Sequence, residues 1–98
     1  MNTDPKLEFY KSQDFMRLGQ AISRKQWQSA AMIIRRMDTR AKEAGIAEFE
    51  KNFTGLRQCI NRRDDREAKQ ILAMVVNKRA GYLNQQTKEE ERWQNIPT

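Results

Sequence analysis

Two basic doublets, Arg24-Lys25 and Arg62-Arg63, stand 38 positions apart and are the side chains of this sequence most suited to binding chemistry. Guanidinium and ammonium groups pair with phosphates and carboxylates, arginine through a planar fork that makes two bonds at once. With Arg66 they form a candidate anion-binding set: Arg24, Lys25, Arg62, Arg63 and Arg66. A second set, Arg35, Arg36, Asp38, Thr39 and Lys42, lies on the polar side of an apolar stripe and is a candidate docking face for a partner. Bond-making chemistry finds less support. There is no histidine among the 98 residues, so a serine–histidine or cysteine–histidine pair is excluded, leaving lysine as the formal base. The single cysteine, Cys59, lies between Leu56 and Ile60 in an apolar pattern and reads as a small core filler. No cluster has metal-ligand spacing, and no Gly-rich loop suits a nucleotide phosphate. The expectation is a protein without catalytic residues, metal or cofactor.

The elements that carry these residues repeat. Phe15-x-x-Leu18-x-Gln20-x-Ile22-x-Arg24 and Ala30-x-x-Ile33 recur as Phe53-x-x-Leu56-x-Gln58-x-Ile60-x-Arg62 and Ala68-x-x-Ile71, at a constant offset of 38. Softer matches fill the gaps: Ala21/Cys59, Ser23/Asn61, Lys25/Arg63, Ile34/Leu72 and Met37/Val75. A period of this size marks a helix–turn–helix unit used twice. The expected fold is all-α: an antiparallel four-helix bundle, up-down-up-down, built from two similar helical hairpins over residues 1–84, with a polar extension or tail over 85–98.

Apolar spacing places the helices. The first runs from Pro5 with Leu7, Tyr10, Phe15, Leu18 and Ile22 inward, Asp4 and Pro5 suiting its start. The second runs from about Gln26 to Ala44 with Ala30, Ile33, Ile34, Met37, Ala41 and Ala44 inward, and Gly45 as its left-handed stop. The third starts near Ile46 and buries Ile46, Phe49, Phe53, Leu56 and Ile60, with Gly55 tolerated for close helix packing. The fourth opens on the capping box Asp64-x-x-Glu67 and buries Ala68, Ile71, Leu72, Val75, Val76 and Tyr82. It either ends at Gly81 or continues into Gln85–Arg92. The tail holds Trp93 and Ile96, read as a frayed end or as an anchor folded back on the bundle or into a partner.

The formal charge is +6. Residues 17–42 carry seven basic side chains against Asp38 alone, while residues 43–50 hold three glutamates and no base. In an up-down-up-down bundle both doublets fall at one end, which is therefore expected to be basic. No apolar run approaches the roughly 18–20 residues that span a bilayer, and the N-terminus has no basic-then-apolar leader. A reducing, cytoplasmic setting follows, without membrane contact and with a monomer or weak homodimer as the expected state.

The order of elements resembles the histidine-containing phosphotransfer (HPt) domain of bacterial two-component signalling, over roughly residues 7–80. That family places an aromatic after a short turn, then, after eight residues, His-x-Leu-Lys-Gly, and a helix-ending Gly six residues beyond. Trp27 stands at the aromatic, Arg35 at the histidine, Met37 at the leucine, Asp38 at the lysine, Thr39 at the first glycine and Gly45 at the last. The resemblance implies a four-helix bundle that docks receiver or kinase domains. The departures remove its chemistry: Arg35 cannot accept a phosphoryl group, and Asp38 would repel phosphate. The leading expectation is an HPt-like protein–protein interaction or adaptor module in bacterial signalling, unable to carry phosphohistidine. The alternative is nucleic-acid or other polyanion binding through the basic hairpin end, where Trp27 is the one aromatic near the doublets.

Overall fold

Asp4 and Pro5 open the first helix as their chemistry requires. The Asp4 carboxylate accepts the Lys6 amide at 3.0 Å, and proline's fixed φ suits the first helical turn. The computed structural model describes residues 4–94 and the side chains of residues 4–86. The helices are α1 (Pro5–Lys11), α2 (Asp14–Ser23), α3 (Trp27–Glu43), α4 (Glu50–Arg62) and α5 (Asp65–Gln94). Among the described residues there is no strand, so the chain is all-helical as its periodicity predicts.

The long first helix expected through Ile22 is broken in two. Ser12 is extended (φ −60°, ψ 142°), and its hydroxyl accepts the Asp14 amide at 3.1 Å, which starts α2. The break has a packing reason. On one continuous helix Phe9, Tyr10 and Phe15 would spread over well more than half the circumference. With the turn at Ser12 all three are buried. A second departure concerns α4, which begins at Glu50 rather than near Ile46. Ile46 and Phe49 are buried from the preceding turn instead. Val76, expected in the core, is 42% exposed. The helix runs straight through Gly81, and the side chains of Trp93 and Ile96 lie outside the described residues. Half of the expected capping box forms: the Glu67 amide donates to Asp64 Oδ1 at 3.1 Å, while the Glu67 carboxylate turns to Arg62 at 2.9 Å.

Packing follows the duplication. α2 touches α3, α3 touches α4, α4 touches α5 and α5 returns to α2, while α1 lies against α3 and α5. Shifting by 38 residues sends α2 to α4 and α3 to α5, and the same circuit results. Most equivalent residues reach equivalent depths, although Ile60 and Leu72, expected in the core, are only partly buried where Ile22 and Ile34 are fully so. Phe15 and Phe53, Leu18 and Leu56, Ala21 and Cys59, Ala30 and Ala68, Met37 and Val75 are all buried. Gly55 sits where a Cβ would come within 3.0 Å of Ile71 Cδ1, the close approach of α4 to a neighbour that its position implies.

The helix ends repeat as well. Lys25 N–H donates to Ile22 O and Gln26 N–H to Ala21 O, and 38 residues on Arg63 N–H donates to Ile60 O and Asp64 N–H to Cys59 O. Gly45 and Ile46 make the same pair of bonds after α3. This double bond closes a helix through one left-handed residue, and Gly45 (φ 72°) fills that place as expected. At the two hinges the place is taken by Lys25 (φ 56°) and Arg63 (φ 54°).

Aromatic rings fill the core where α1 and α2 meet the turn before α4. Phe49 lies within 6.0 Å, centroid to centroid, of Phe9, Tyr10, Phe15 and Phe53, and Tyr10 stacks on Tyr82 at 3.9 Å. The Tyr10 hydroxyl donates to Glu48 at 2.8 Å, a pair that is itself one repeat apart. Burial first, and then the bond to Glu48, push the Tyr10 phenol well above its ordinary range. Arg79 Nε donates to Tyr10 O at 2.7 Å, which pins α1 to α5.

Candidate functional site

Asp14 is the one buried charged side chain among the described residues. Arg36 holds it through a fork, Nε to Oδ2 at 3.1 Å and Nη2 to Oδ1 at 2.7 Å. Arg40 approaches at 3.4 Å and Arg17 at 3.7 Å. The Arg36 bond outweighs burial and, with the charges of the other arginines, holds the Asp14 carboxyl below its ordinary range. Three cations against one anion leave an excess of positive charge. The guanidinium groups of Arg17, Arg36 and Arg40 are half exposed, with donors that Asp14 does not occupy.

α3 divides the expected docking face in two. Arg35, Arg36 and Thr39 line one concavity of about 510 Å³ together with Met32, Arg40 and Glu43. Met32 is 70% exposed. Arg35 is exposed near the middle of the helix, and Thr39 returns its hydroxyl to Arg35 O at 3.0 Å. Asp38 and Lys42 point elsewhere, into a smaller hollow of about 260 Å³ toward α4. There Asp38 accepts Arg57 at 2.6 Å and Lys42 at 3.4 Å. Burial raises the Asp38 pKa, but the Arg57 and Lys42 bonds win and the carboxyl stays below its ordinary range. The reason for the split is helical geometry: residues 38 and 42 lie roughly 100° round the axis from the middle of the 32–35–36–39–43 row.

The expected anion-binding residues fall at the two hinges. Lys25 and Arg63 line one concavity of about 360 Å³ with Gln26, Trp27, Gln28 and Ser29. Arg24 is the exposed C-cap of α2, and Arg66 is exposed in the first turn of α5. Arg62 is drawn to Glu67. Cys59 is buried one turn before Arg62, and burial pushes its thiol up, as befits a filler.

The residues that the sequence pattern missed are Met32, which nothing in its spacing sets apart, and the pair Asp14 and Arg40. For the pair a signal was present. Asp14 lies four residues from both Tyr10 and Leu18, on the core side of the helix, and the pair recurs 38 positions later as Asn52 and Lys78. Lys78 Nζ donates to Asn52 Oδ1 at 2.7 Å, so the second repeat joins the same two positions with weaker chemistry.

Among the described residues no group of three or more His, Cys, Asp or Glu side chains is arranged to hold a metal ion, and no helix is long and apolar enough to cross a membrane. No family model, curated protein or solved structure matches the chain.

Proposed function

We propose that this chain is a non-catalytic helical docking module whose protein partner meets the Met32–Arg35–Arg36–Thr39 side of α3. The observation that carries the reading is Met32, 70% exposed in the same concavity as Arg35, Arg36 and Arg40. An unbranched, polarisable apolar side chain ringed by arginine is the composition of an interface centre. Arg36 is held in place by Asp14, so little side-chain freedom is lost when a partner carboxylate meets its free donors. The partner chemistry that fits is an acidic protein surface with an apolar centre.

The reading includes the finer topology: two hairpins packed antiparallel, up-down-up-down. Short connections and the closed circuit of helix contacts support it. It also keeps the kinship with HPt bundles as an adaptor in bacterial signalling, docking a receiver or kinase domain, because Arg35 stands exposed at the place of the phosphorylated histidine. A cytoplasmic setting accords with the free, buried Cys59.

The test is capture from nuclease-treated cell extract on the immobilised chain and on its Met32→Asp/Arg35→Glu variant. A protein retained by the parent and lost from the variant is the expected result. Equal retention on both, or retention that disappears with nuclease, overturns the reading.

A further inference from the structure

We propose that the hinge end of the bundle, where Lys25, Trp27 and Arg63 line one hollow, binds single-stranded nucleic acid. This site is separate from the α3 docking face and does not depend on it. The duplication brings it together: the hinge residue of each hairpin, 38 positions apart in sequence, lines the same hollow of about 360 Å³.

The cations there are uncommitted. Among the described residues, Arg24, Lys25, Arg63 and Arg66 have no carboxylate within ion-pair distance; other unpaired cations, such as Lys11, Arg35 and Lys51, are dispersed, whereas these four belong to the two hinges and the helix start that follows. The acids of this end serve α5. Asp64 caps its first turn, Asp65 pairs with Lys69 and Glu67 pairs with Arg62. The free charges therefore face outward with no internal counterpart.

Both hinge residues are also costly to the backbone. The same turn bonds after α3 are made by glycine, which adopts positive φ without strain. Lys25 and Arg63 hold positive φ with a side chain attached. A long cation in a place that favours glycine, twice, carries a backbone strain set against what the charge gains at a helix C-terminus, and an outward use for the charge accounts for the choice.

The rest of the lining selects the ligand. Trp27 is half-buried and lines the hollow, the placement a stacking platform for a base requires. The remaining lining residues, Gln26, Gln28 and Ser29, are polar, which gives an apolar protein segment nothing to bury. Reading the base edges of a duplex takes a helix or ribbon in the groove, whereas this surface is a pair of turns whose indole can stack only on an unpaired base. Phosphates spaced along a flexible strand, with an occasional stacked base, fit two cations and an indole that line one hollow.

Fluorescence anisotropy with labelled 20-mers of thymidylate and of uridylate tests the site, in a Trp93→Phe background that leaves Trp27 as the sole tryptophan. Binding is expected at low salt, with quenching of Trp27 emission. The slope of log K against log salt should be about −1.4 for the two hinge cations, at about −0.7 per phosphate, and steeper as Arg24 and Arg66 join. Equal binding of the two strands supports recognition through phosphates and bases, and tighter binding of uridylate supports an added contact to the 2′-hydroxyl. Lys25→Gly/Arg63→Gly should weaken binding about 10-fold or more while raising the melting temperature, because the strain leaves with the charge. Lys11→Gln/Lys51→Gln removes the same formal charge elsewhere and should change affinity less than about 2-fold. The proposal is overturned by absence of binding at low salt, by unchanged Trp27 emission, by binding of heparin but of neither strand, or by equal losses in the hinge and control variants.

Discussion

In the helix pair α2–α3, position 14 is an aspartate gripped by Arg36 and Arg40. In the helix pair α4–α5, the equivalent Asn52 meets Met74 Sδ at 4.0 Å and Lys78 at 2.7 Å. The three positions correspond one for one across the repeat, and the backbone brings them together both times. The chemistry differs. The first helix pair has a buried ion pair with surplus cations at its surface, and the second a neutral amide with one lysine and an exposed methionine. A duplicated scaffold thus fixes which positions meet, while the residue types decide whether the meeting point is a charged surface or only a tether. Lys78 shows the tether's role plainly. It also donates to Glu48 O at 2.7 Å and lies over the Phe49 ring, which ties α5 to the turn before α4.

The comparison can be broken most severely in the core. Phe15→Ala and Phe53→Ala should each cost about 3–5 kcal/mol, because both rings are buried. Chemical denaturation of the two variants reads the costs directly. Costs that differ by more than about 2 kcal/mol would show that the repeats are equivalent in sequence but not in energy.

An intermediate effect should separate the two polar meeting points. Asp14→Ala should cost about 1–3 kcal/mol, since Arg36 loses a bidentate partner but keeps access to water. Asn52→Ala should cost about 1 kcal/mol or less, its bonds being exposed. Acid sharpens the contrast. The folded pKa of Asp14 lies below its unfolded value near 3.9. Its contribution is therefore fully present above that value and is lost as pH falls through the folded pKa. Asp38 has the same sign. Urea titrations between pH 6 and pH 2 should show the parent losing stability more steeply than Asp14→Ala. Parallel pH profiles would mean that Asp14 is not held in its ionised form.

The smallest effect has the opposite sign. Lys25→Gly and Arg63→Gly should each stabilise the fold by up to about 1 kcal/mol, as the left-handed strain on a side-chain-bearing residue is relieved. Thermal melts of the single variants measure this, and the two gains should match because the two turns share their hydrogen bonds. Destabilisation of either would mean that its side chain supports the fold through contacts of its own.

Much of this was legible before folding. Leu18, Ile22, Ala30, Ile34, Met37 and Leu56 declare themselves by three-four spacing and are buried. Gly45 declares its turn because only glycine adopts positive φ freely. Lys25 and Arg63 carry no such marker, and their left-handed state shows only as the homologue of Gly45 in the bonding pattern. Asp14 was hidden for a different reason. A charged residue on an apolar stripe reads as the edge of that stripe until arginines on another helix are seen to reach it.

The spacing of apolar residues and the 38-residue offset determined by themselves that this chain is helical, that it is built twice over, and which side of each helix is buried. Those are properties of local periodicity, set by where each side chain leaves its own helix. The break at Ser12, the grip of Arg36 on Asp14, the separation of Asp38 from Arg35 and the shared hollow of Lys25, Trp27 and Arg63 were decided by tertiary structure. Each depends on a distance between residues remote in sequence, and no pattern within one helix contains that distance.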